Sequence, residues 1–541
     1  MENNSTGNFL MEKNKKNFLK SFLLNTIFVM ATAVAVKAED QNRPFEIYAQ
    51  IKPNNRIDEI VLQSLRKYHI KPANLSSDAV FLRRVYVDVI GTLPTEKEVR
   101  KFLADKSPYK RKKIINQLFK RKEFADYWAL KWGDLLRIKS EFPINLWPNG
   151  VQAYYTWIHS VLEKNMPYNK FAYELLTSSG SNFRQPQVNF YKAVQEKTPK
   201  GLAEAVALTF MGIRLNKLPK EQQEAMMTFF SRVAYKKTEE WKEEIIYLNP
   251  APTNILKATL PDGKKVTIQP NQDPRIIFAE WLVNPGNPCL TRNIVNRIWF
   301  WLMGRGIINP PDDITSKNKP VNPKLLSFLE KELIKSNYNL RHIYKIILNS
   351  RTYQQSSIPQ SENPRTESLF AYYPVRRLDA EVLSDAVSSI TGIRENYISM
   401  VPEPFTFIPN RSSAISLADG SISSSFLEMF GKPSRDTGYE SERNNKITTA
   451  QRLHFLNSTH IQNKIKKSQK LRQIIRNSQR RKGNENKIIQ ELYLNILSRY
   501  PTEEEIKTVD KYFMSEKESK KNAIMDVVWA LFNTKEFLCK H

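Results

Sequence analysis

Hydrophobic residues from Arg56 onward recur at the spacings of amphipathic α-helices. Ile57, Val61, Leu65 and Tyr68 follow one another at intervals of four, four and three residues, which places them on one helical face. The same periodicity predicts further helices across residues 81–90, 110–118, 124–136, 274–283, 291–303, 325–333, 340–348, 378–390 and 523–537. The pattern therefore indicates a mainly α fold.

Two of the helix starts carry a capping box. Thr95 with Glu98, and Thr502 with Glu505, have the spacing at which a hydroxyl and a carboxylate satisfy each other's backbone N–H groups. Bulky aromatic residues then recur within the helices at spacings that point to a core. We expect these side chains to be packed inside the protein rather than exposed to a ligand: Trp128, Trp132 and Trp157.

The pattern changes near the middle of the chain. Residues 236–248 are highly charged around Trp241 and are predicted to be helical. Residues 256–260 and 265–269 then alternate between apolar and polar positions on either side of Asp262 and Gly263, which is typical of a β-hairpin. The sequence therefore predicts two helical domains, at 39–248 and 274–541, separated by a small β-hairpin insertion at 249–273.

The first 38 residues have the pattern of an export signal. A basic segment with four lysines precedes an apolar stretch at 22–36, and Val36-Lys37-Ala38 places small residues where a signal peptidase reads them. We expect cleavage after Ala38 and a periplasmic or secreted protein. No later run is long and apolar enough for a transmembrane helix, so no membrane span is expected after cleavage.

The chain is strongly basic, with 83 lysines and arginines against 55 acidic residues and a net charge of +28. Loss of the signal removes five lysines and two glutamates, which leaves +25. One interpretation is an anionic partner, either an acidic polysaccharide or an acidic envelope protein. The other is a composition bias without a partner. A specific nucleic-acid partner is not expected for an exported protein.

The residue inventory excludes several kinds of site. Two cysteines are too few for a disulfide scaffold, a cysteine-rich zinc module or an iron–sulfur cluster. Cys289 and Cys539 either pair in an oxidising compartment or remain free thiols. His454 and His460 are six residues apart, which would put them on different faces of one helix, so no metal site is predicted. No other cofactor is expected, and Asp312-Asp313 is interpreted as helix capping rather than a Ca²⁺ site.

Charged residues alternate densely between positions 435 and 443. Arg435 and Arg443 flank Asp436, Glu440 and Glu442, after a Phe-Gly-Lys-Pro sequence that favours an ordered loop. One interpretation is a polar site, in which arginine orients an anionic or sugar ligand and a carboxylate acts as acid or base. The alternative is a network of structural ion pairs between helices. Both hypotheses stay open at this point.

A second polar cluster lies on one helix face. Asn293, Asn296 and Arg297 have the spacing i, i+3, i+4 and share that face, which fits contacts with a sugar or, preferably, a hydrogen-bond network between domains. Residues 376–379 have the pattern of a helix start at which Arg and Asp pair. The binding candidates are therefore Asn293, Asn296, Arg297, Arg376, Arg377, Asp379, Arg435 and Arg443.

Several short segments, in order along the chain, resemble a known family. They are FLRRVYVD at 81–88, GTLPT at 91–95, DYWA at 126–129, WGDLLR at 132–137, NRIW at 296–299, GRG at 304–306, DD at 312–313, SRTY at 350–353, RRLDAE at 376–381, FG at 430–431, RDT at 435–437, ER at 442–443 and WALFNTKEF at 529–537. They resemble the paired N- and C-terminal domains of unknown function found in exported proteins of planctomycetes and their relatives, which are named for an association with cytochrome c.

The sequence departs from that family at its haem-related motifs. Members often carry Cys-x-x-Cys-His after a segment like 210–215, and commonly Cys-x-Cys-Glu-Arg near the C-terminus. This chain has NKLPK at 216–220 and YESER at 439–443 instead. Covalent c-type haem attachment is excluded by these residue identities. The resemblance thus implies either a role without redox chemistry or electron transfer by a partner.

Three functional hypotheses follow from the sequence. The first is a haem-less binding or assembly protein of the cell envelope, associated with polysaccharide handling. The second is a glycan hydrolase or lyase that uses Asp436, Glu440 or Glu442. The third is an accessory protein that docks a c-type cytochrome for electron transfer through its basic surface.

Overall fold

The computed structural model describes residues 44–48, 51–406, 408, 412–480, 485–515 and 520–541. The predicted signal at 1–38 lies outside these residues. Helices account for 54% of the chain and strands for 6%, which confirms the mainly α fold. Across the described ranges, no helix is both long enough and apolar enough to cross a bilayer.

The first half of the chain is built from consecutive helices that follow the predicted periodicity. The Thr95 hydroxyl accepts from the backbone N–H of Glu98, whose carboxylate accepts from Thr95 N at 2.8 Å, so this capping box is confirmed. The helices of this half are Arg56–Lys67, Asp78–Ile90, Glu96–Ala104, Lys110–Leu118, Lys122–Leu135, Trp147–Lys164, Tyr168–Thr177, Asn189–Lys192, Pro199–Val206 and Lys220–Phe230.

The strands form small antiparallel sheets. The hairpin is confirmed, with Leu256–Thr259 paired to Lys265–Ile268. The predicted helix at 236–248 is wrong, because Val233–Lys237 and Glu244–Leu248 pair as strands and Gly180–Ser181 adds a third. The charged residues around Trp241 belong to the connecting turn, where this side chain is 67% exposed. Two further two-stranded pairs join Glu46–Ile47 to Leu75–Ser76 and Arg376–Arg377 to Cys539–Lys540.

The second half is also helical. Thr502 N donates to Glu505, and Glu505 N donates back to the Thr502 hydroxyl, so the second capping box is confirmed. The predicted segment 523–537 is interrupted at Thr534, whose hydroxyl caps a short new helix. The helices are Pro274–Val283, Pro288–Met303, Pro323–Lys335, Leu340–Leu348, Ala380–Thr391, Ser425–Met429, Thr449–Asn457, Thr459–Lys467, Gln469–Arg480, Glu485–Ile496, Glu503–Ser515, Lys520–Phe532 and Lys535–Leu538.

One hydrophobic core runs through both halves. Trp128 and Trp132 are buried, as predicted, and their rings lie 5.4 and 6.0 Å from that of Trp301 in the second half. Trp157 is half-buried and stacks on Phe171 at 5.3 Å. Aromatic pairs of this kind stabilise a core beyond the area that they bury. The indoles therefore join the two halves directly behind the polar residues described below.

The segment at 81–88 binds the C-terminal residues. Arg83 donates to the carbonyl oxygens of Ile496 and Phe537 at 2.8 and 3.0 Å, and Arg84 donates to that of His541 at 2.8 Å. Two buried guanidinium groups thereby fix a segment more than 400 residues away in the sequence. Cys289 and Cys539 are free thiols in this structure.

The imidazole of His541 is expected to make the fold sensitive to acid. Burial lowers its pKa from 6.5 to about 4, although Glu536 opposes the shift. The unfolded chain therefore binds the proton first, and stability falls as the pH decreases from 6.5 to 4. The loss is roughly 3 kcal/mol in unfolding free energy at most. Urea unfolding at both ends of this range should show that loss in the wild type and remove it in His541→Gln, whereas exposed His69→Asn should retain it.

Candidate functional site

The Lys122–Leu135 helix presents charged side chains beside its aromatic core face. Lys131 and Asp134 lie at i and i+3, next to the buried indoles of Trp128 and Trp132. Neither was predicted as a site residue. The sequence did hold a signal for both residues, because they are charged positions among mainly apolar neighbours in the middle of a helix. Buried charges require partners, so such residues are candidates for ion pairs.

The loop at 431–439 is folded tightly against that helix. Gly431 and Gly438 have φ of +75° and +78°. A Cβ at Gly431 would lie 2.1 Å from the carbonyl oxygen of Asn444, and one at Gly438 would lie 2.6 Å from that of Leu135. Only glycine allows both the positive φ and the close approach. The two glycines thus allow the loop to place residues 435–443 along the helix.

Arg435 is an internal anchor of this loop. Its guanidinium donates to Asp134 at 2.9 Å and to the carbonyl oxygens of Ala418 and Ile138 at 2.9 and 3.1 Å. The side chain is buried, and a Cβ added at Gly133 would lie 3.1 Å from it. The predicted binding residue Arg435 is therefore committed to contacts within the protein.

Arg443 joins the two halves through two carboxylates. It donates to Asp134 at 2.7 and 3.0 Å and to Glu381 at 2.7 and 3.1 Å. Burial alone would lower the pKa of the guanidinium, but the charges of Asp134 and Glu381 hold it well above its ordinary value. The contact with Glu381 uses both carboxylate oxygens, and such two-point contacts are among the stronger charge-assisted hydrogen bonds in proteins.

Arg297, Asp312 and Glu440 bring the two predicted polar clusters together. Arg297 donates to Asp312 at 2.7 Å and to Glu440 Oε2 at 3.4 Å. Asp312 also accepts from the backbone N–H of Glu440 at 2.7 Å. The interpretation of Asp312 as a helix cap is wrong, because the carboxylate instead fixes the backbone at Glu440. Trp301 Nε1 donates to Glu440 Oε2 at 3.0 Å.

These residues line a small cleft that is open to solvent. Four carboxylates around it each have a cation at 3.0 Å or less, whereas Glu440 has the 3.4 Å contact with Arg297, which already pairs with Asp312. The four pairs are Asp379 with Lys131, Asp312 with Arg297, Asp134 with Arg435, and Glu381 with Arg443. The lining residues are Lys131, Asp134, Leu135, Trp301, Pro433, Gly438, Tyr439, Glu440 and Arg443.

The two carboxyl groups that line the cleft have opposite electrostatic environments. Burial raises the pKa of Glu440 above its ordinary value, and the charges of Lys131 and Arg297 offset this only in part. Burial also acts on Asp134, but Arg443 and Arg435 bring its net pKa below the ordinary value. The Glu440 side chain is 16% exposed and therefore accessible from the cleft.

The other two acidic candidates lie in different contacts. Asp436 pairs with Lys139 at 2.7 Å, and Glu442 accepts from the backbone N–H of Thr437 at 2.6 Å. Residues 436–439 are not helical, so the i, i+4 spacing of Asp436 and Glu440 does not place them on one helix face. Of the three predicted acids, the structure places Glu440 in the cleft.

Asn293 and Asn296 are buried in the Pro288–Met303 helix. Asn293 donates to the carbonyl oxygen of Thr209 in the first half at 2.8 Å. Asn296 exchanges two hydrogen bonds with the backbone of Ile308, at 2.9 and 2.8 Å. Both amides are thus used inside the protein, and Asn293 connects the two halves.

The helix start at 376–379 contributes structural contacts. Arg376 donates to the carbonyl oxygen of Leu302 at 2.7 Å, and Arg377 donates to that of Asn444 at 2.7 Å. Asp379 pairs with Lys131 at 3.0 Å instead of with either arginine. The predicted Arg–Asp pairing at this helix start is therefore wrong, because both guanidinium groups bind backbone carbonyls.

The histidines at 454 and 460 are neighbours in space. They lie on consecutive helices, not on one, and His454 Nε2 is 3.2 Å from His460 Nδ1. The expectation that they face apart is therefore wrong. His460 Nε2 is 3.0 Å from Glu395. Within the part of the chain that the structure covers, no group of three or more His, Cys, Asp or Glu residues has metal-binding geometry.

Arg214 lies two residues before the first segment that departs from the resembled family, and it contacts the second such segment beside the cleft. The Arg214 guanidinium, just before residues 216–220, lies 4.6 Å from the ring of Tyr439. Tyr439 itself lines the cleft next to Glu440.

Two protein-family models match consecutive parts of the chain. Residues 56–245 match PSCyt2, a protein of unknown function (DUF1549). Residues 274–513 match PSD1, a protein of unknown function (DUF1553). No curated protein matches the chain. No solved structure matches it either. The chain therefore belongs to the family of proteins that pair an N-terminal PSCyt2 domain with a C-terminal PSD1 domain, both of unknown function.

Proposed function

We propose that the protein is an exported enzyme that hydrolyses a glycosidic bond of a cell-envelope glycan, with Glu440 as the general acid. The supporting observation is the pairing of charges around the cleft. Of the five carboxyl groups described there, Glu440 is the one without a cation within 3.0 Å. Burial raises the pKa of Glu440, so it keeps its proton to a higher pH than an ordinary glutamic acid, as a general acid requires.

The contacts of Glu440 indicate how the proton is presented. Trp301 and Arg297 both donate to Oε2, so the proton of the neutral form resides on Oε1. In the proposed reaction this proton moves to the glycosidic oxygen as the C–O bond breaks. Water then adds to the sugar carbon and returns a proton to Glu440. Asp134 stays ionised in the same cleft, where its pairs with Arg435 and Arg443 hold the cleft wall in place.

The charge balance of the cleft favours an uncharged sugar unit. Its four cations are each matched by a carboxylate, which leaves no excess positive charge for an acidic ligand. The indole of Trp301 adds an apolar wall with a hydrogen-bonding edge. An acidic polysaccharide or acidic envelope protein remains the partner predicted for the outer surface of the basic chain.

The first and third sequence hypotheses give different outcomes in experiments. A haem-less binding or assembly protein would bind the glycan without turning it over. An accessory that docks a cytochrome would co-purify with a haem protein and would show no dependence on Glu440. Both remain predictions. The opposite pKa shifts of Glu440 and Asp134 in one cleft favour the enzyme.

Replacing Glu440 by glutamine is expected to abolish most of the turnover. The purified protein is incubated with neutral and acidic envelope glycans, and the release of reducing ends is followed across pH. Glutamine keeps the shape of the side chain but has no acidic proton, so kcat should fall by about 10²–10⁴-fold with little change in KM. The wild-type rate should decline at a pH above the ordinary range of a glutamic acid.

A matched control is Glu442→Gln, two residues away on the same loop. Its carboxylate binds Thr437 and does not line the cleft, so its kcat should stay within about twofold of the wild type. Glycan binding by the wild type without turnover would reject the enzyme and leave the binding protein. Turnover that Glu440→Gln leaves intact would show that another residue is the acid.

A further inference from the structure

The segment 444–484 contains no acidic residue. It holds 11 lysines and arginines in 41 positions, whereas Asp and Glu make up 55 of the 541 residues of the chain. At that frequency, about four acidic residues would be expected in a segment of this length. A composition bias acts on the whole chain and does not remove acidic residues from one segment. The excess positive charge is therefore concentrated here.

Two helices of this segment meet at Ser468 and carry most of its described cations. The Thr459–Lys467 helix ends there, and the Ser468 hydroxyl accepts from a backbone N–H of the Gln469–Arg480 helix at 3.0 Å. The apolar side chains of both helices are buried in the core: Ile461, Ile465, Leu471 and Ile475. Five cations around Ser468 form a surface that we call the basic junction: Lys466, Lys467, Lys470, Arg472 and Arg476. Four of them are exposed, and Arg472 is half-buried.

The basic junction has no counter-charge in the described part of the chain. None of its five cations forms an ion pair with a carboxylate there, whereas the buried Lys464 nearby pairs with Glu395 at 3.0 Å. Arg472 donates to the backbone carbonyl oxygen of Lys466 at 3.2 Å, which holds the ends of the two helices together. Cations without counter-charges produce a positive surface potential that attracts a polyanion.

We infer that the basic junction binds an acidic polysaccharide. Arg472 and Arg476 are four positions apart on one helix face, which separates them by about 6 Å along the axis. This spacing is close to the length of one sugar unit, so carboxylates on successive units can each pair with a cation. Guanidinium groups bind carboxylates through two parallel hydrogen bonds, and the neighbouring lysines add attraction that does not depend on orientation.

A lipid bilayer fits this surface less well than a polysaccharide does. Helices that lie on a membrane insert apolar side chains below the headgroups. Between residues 459 and 476, no large hydrophobic side chain is exposed, because those of both helices face the core. A nucleic acid is not expected as the partner of an exported chain. The inference does not depend on the proposed glycan reaction, since no residue of the basic junction lines the cleft.

Binding of polygalacturonate by the purified protein tests the inference directly. Calorimetry compares this acidic polymer with dextran, an uncharged polysaccharide, across a series of salt concentrations. We expect saturable binding of polygalacturonate and none of dextran, with an affinity that decreases as salt competes for the ionic contacts. Folded protein that shows no saturable binding of polygalacturonate at about 50 mM salt would overturn the inference.

Two variants that lose the same charge locate the bound polymer. The first combines four substitutions in the basic junction: Lys466→Gln, Lys467→Gln, Lys470→Gln and Arg476→Gln. The control combines four at exposed lysines elsewhere: Lys112→Gln, Lys257→Gln, Lys324→Gln and Lys511→Gln. The affinity should fall by at least about tenfold in the first and by less than about twofold in the control, and the salt dependence should become shallower in the first alone. An equal loss in both would attribute the binding to overall charge and overturn the inference.

Vesicles of phosphatidylglycerol distinguish a polysaccharide from a membrane as the partner. Their binding should be at least about tenfold weaker than that of polygalacturonate, since the surface offers no side chain for insertion. Vesicle binding that is as tight, and that the first variant loses, would overturn the assignment to a polysaccharide. Thermal melting confirms that both variants are folded. If the first is not, the double variant Lys467→Gln/Arg476→Gln replaces it, with an expected loss of about threefold against a control of Lys112→Gln/Lys324→Gln.

Discussion

Replacement of Arg443 by methionine is expected to lower the free energy of unfolding by about 3–5 kcal/mol, the usual cost of breaking a buried ion pair on one side. Arg443 is the shared cation of Asp134 and Glu381, with four hydrogen bonds between 2.7 and 3.1 Å. Methionine has similar length but no charge. Arg435 would still pair with Asp134, whereas the buried Glu381 would lose its cation. Urea unfolding at pH 7 measures the loss.

Two further variants and the pH dependence test whether the loss of stability comes from the lost ion pairs of Arg443 or from a general loss of packing. Arg443→Lys keeps the charge but cannot bind both carboxylates through forks, so its loss should be smaller. Arg452→Met removes an exposed cation nearby and should change stability by less than about 0.5 kcal/mol.

The pH dependence follows from the environment of Asp134. Burial tends to raise the pKa of Asp134, but the two arginines bring it below its ordinary value. The stabilisation is therefore present above the ordinary pKa and is lost as the pH falls through the folded pKa. With Arg443 removed, Asp134 takes up its proton at higher pH, so the deficit of the methionine variant should shrink between about pH 7 and pH 4. A deficit that is constant over this range would contradict the electrostatic explanation.

The helices were predictable because their signals are local. The apolar spacing at 110–118 and at 340–348 matches the observed helices, and both capping boxes close within one turn. The strands at 233–248 were missed for the same reason. They pair with each other across a turn, and the charges of this turn around Trp241 imitate a solvated helix.

The candidate site was only partly predictable because its contacts join distant parts of the chain. Glu440 was identified by the density of charge around it. Its cleft depends on Lys131 and Asp134, and the bond from Arg443 to Asp134 spans 309 positions. A local pattern cannot show such a pairing. It also cannot show that Arg376 and Arg377 bind backbone carbonyls, because an arginine for a ligand and one for a carbonyl have the same sequence signature.

Replacement of Asp88 by asparagine is expected to lower the free energy of unfolding by about 3–5 kcal/mol. The carboxylate accepts hydrogen bonds from the hydroxyls of Tyr353 and Tyr373 at 2.8 and 2.9 Å and from Lys540 at 2.7 Å. Burial and the charge of Arg376 lower the pKa of Lys540, and the charge of Asp88 opposes them. Asparagine keeps the shape but leaves the buried ammonium without this counter-charge.

A double-mutant cycle with Lys540→Met isolates that pair. Methionine removes the unpaired cation, so the double variant should be more stable than Asp88→Asn alone, whereas additive losses would contradict a direct interaction. In Asp88→Asn the folded pKa of Lys540 falls further below that of the unfolded chain. The unfolded chain then binds more protons, and the stability of this variant should rise with pH more steeply than that of the wild type.

The ion pair between Asp88 and Lys540 also holds the strand at the C-terminus in place. Lys540 belongs to the Cys539–Lys540 strand, which pairs with Arg376–Arg377 and lies next to the carbonyls bound by Arg83 and Arg84. Loss of the Asp88 charge should therefore loosen this strand first, and hydrogen exchange at its amides should accelerate before that of the helical core. Exchange that accelerates equally throughout the protein would show that Asp88 stabilises the whole fold rather than this attachment.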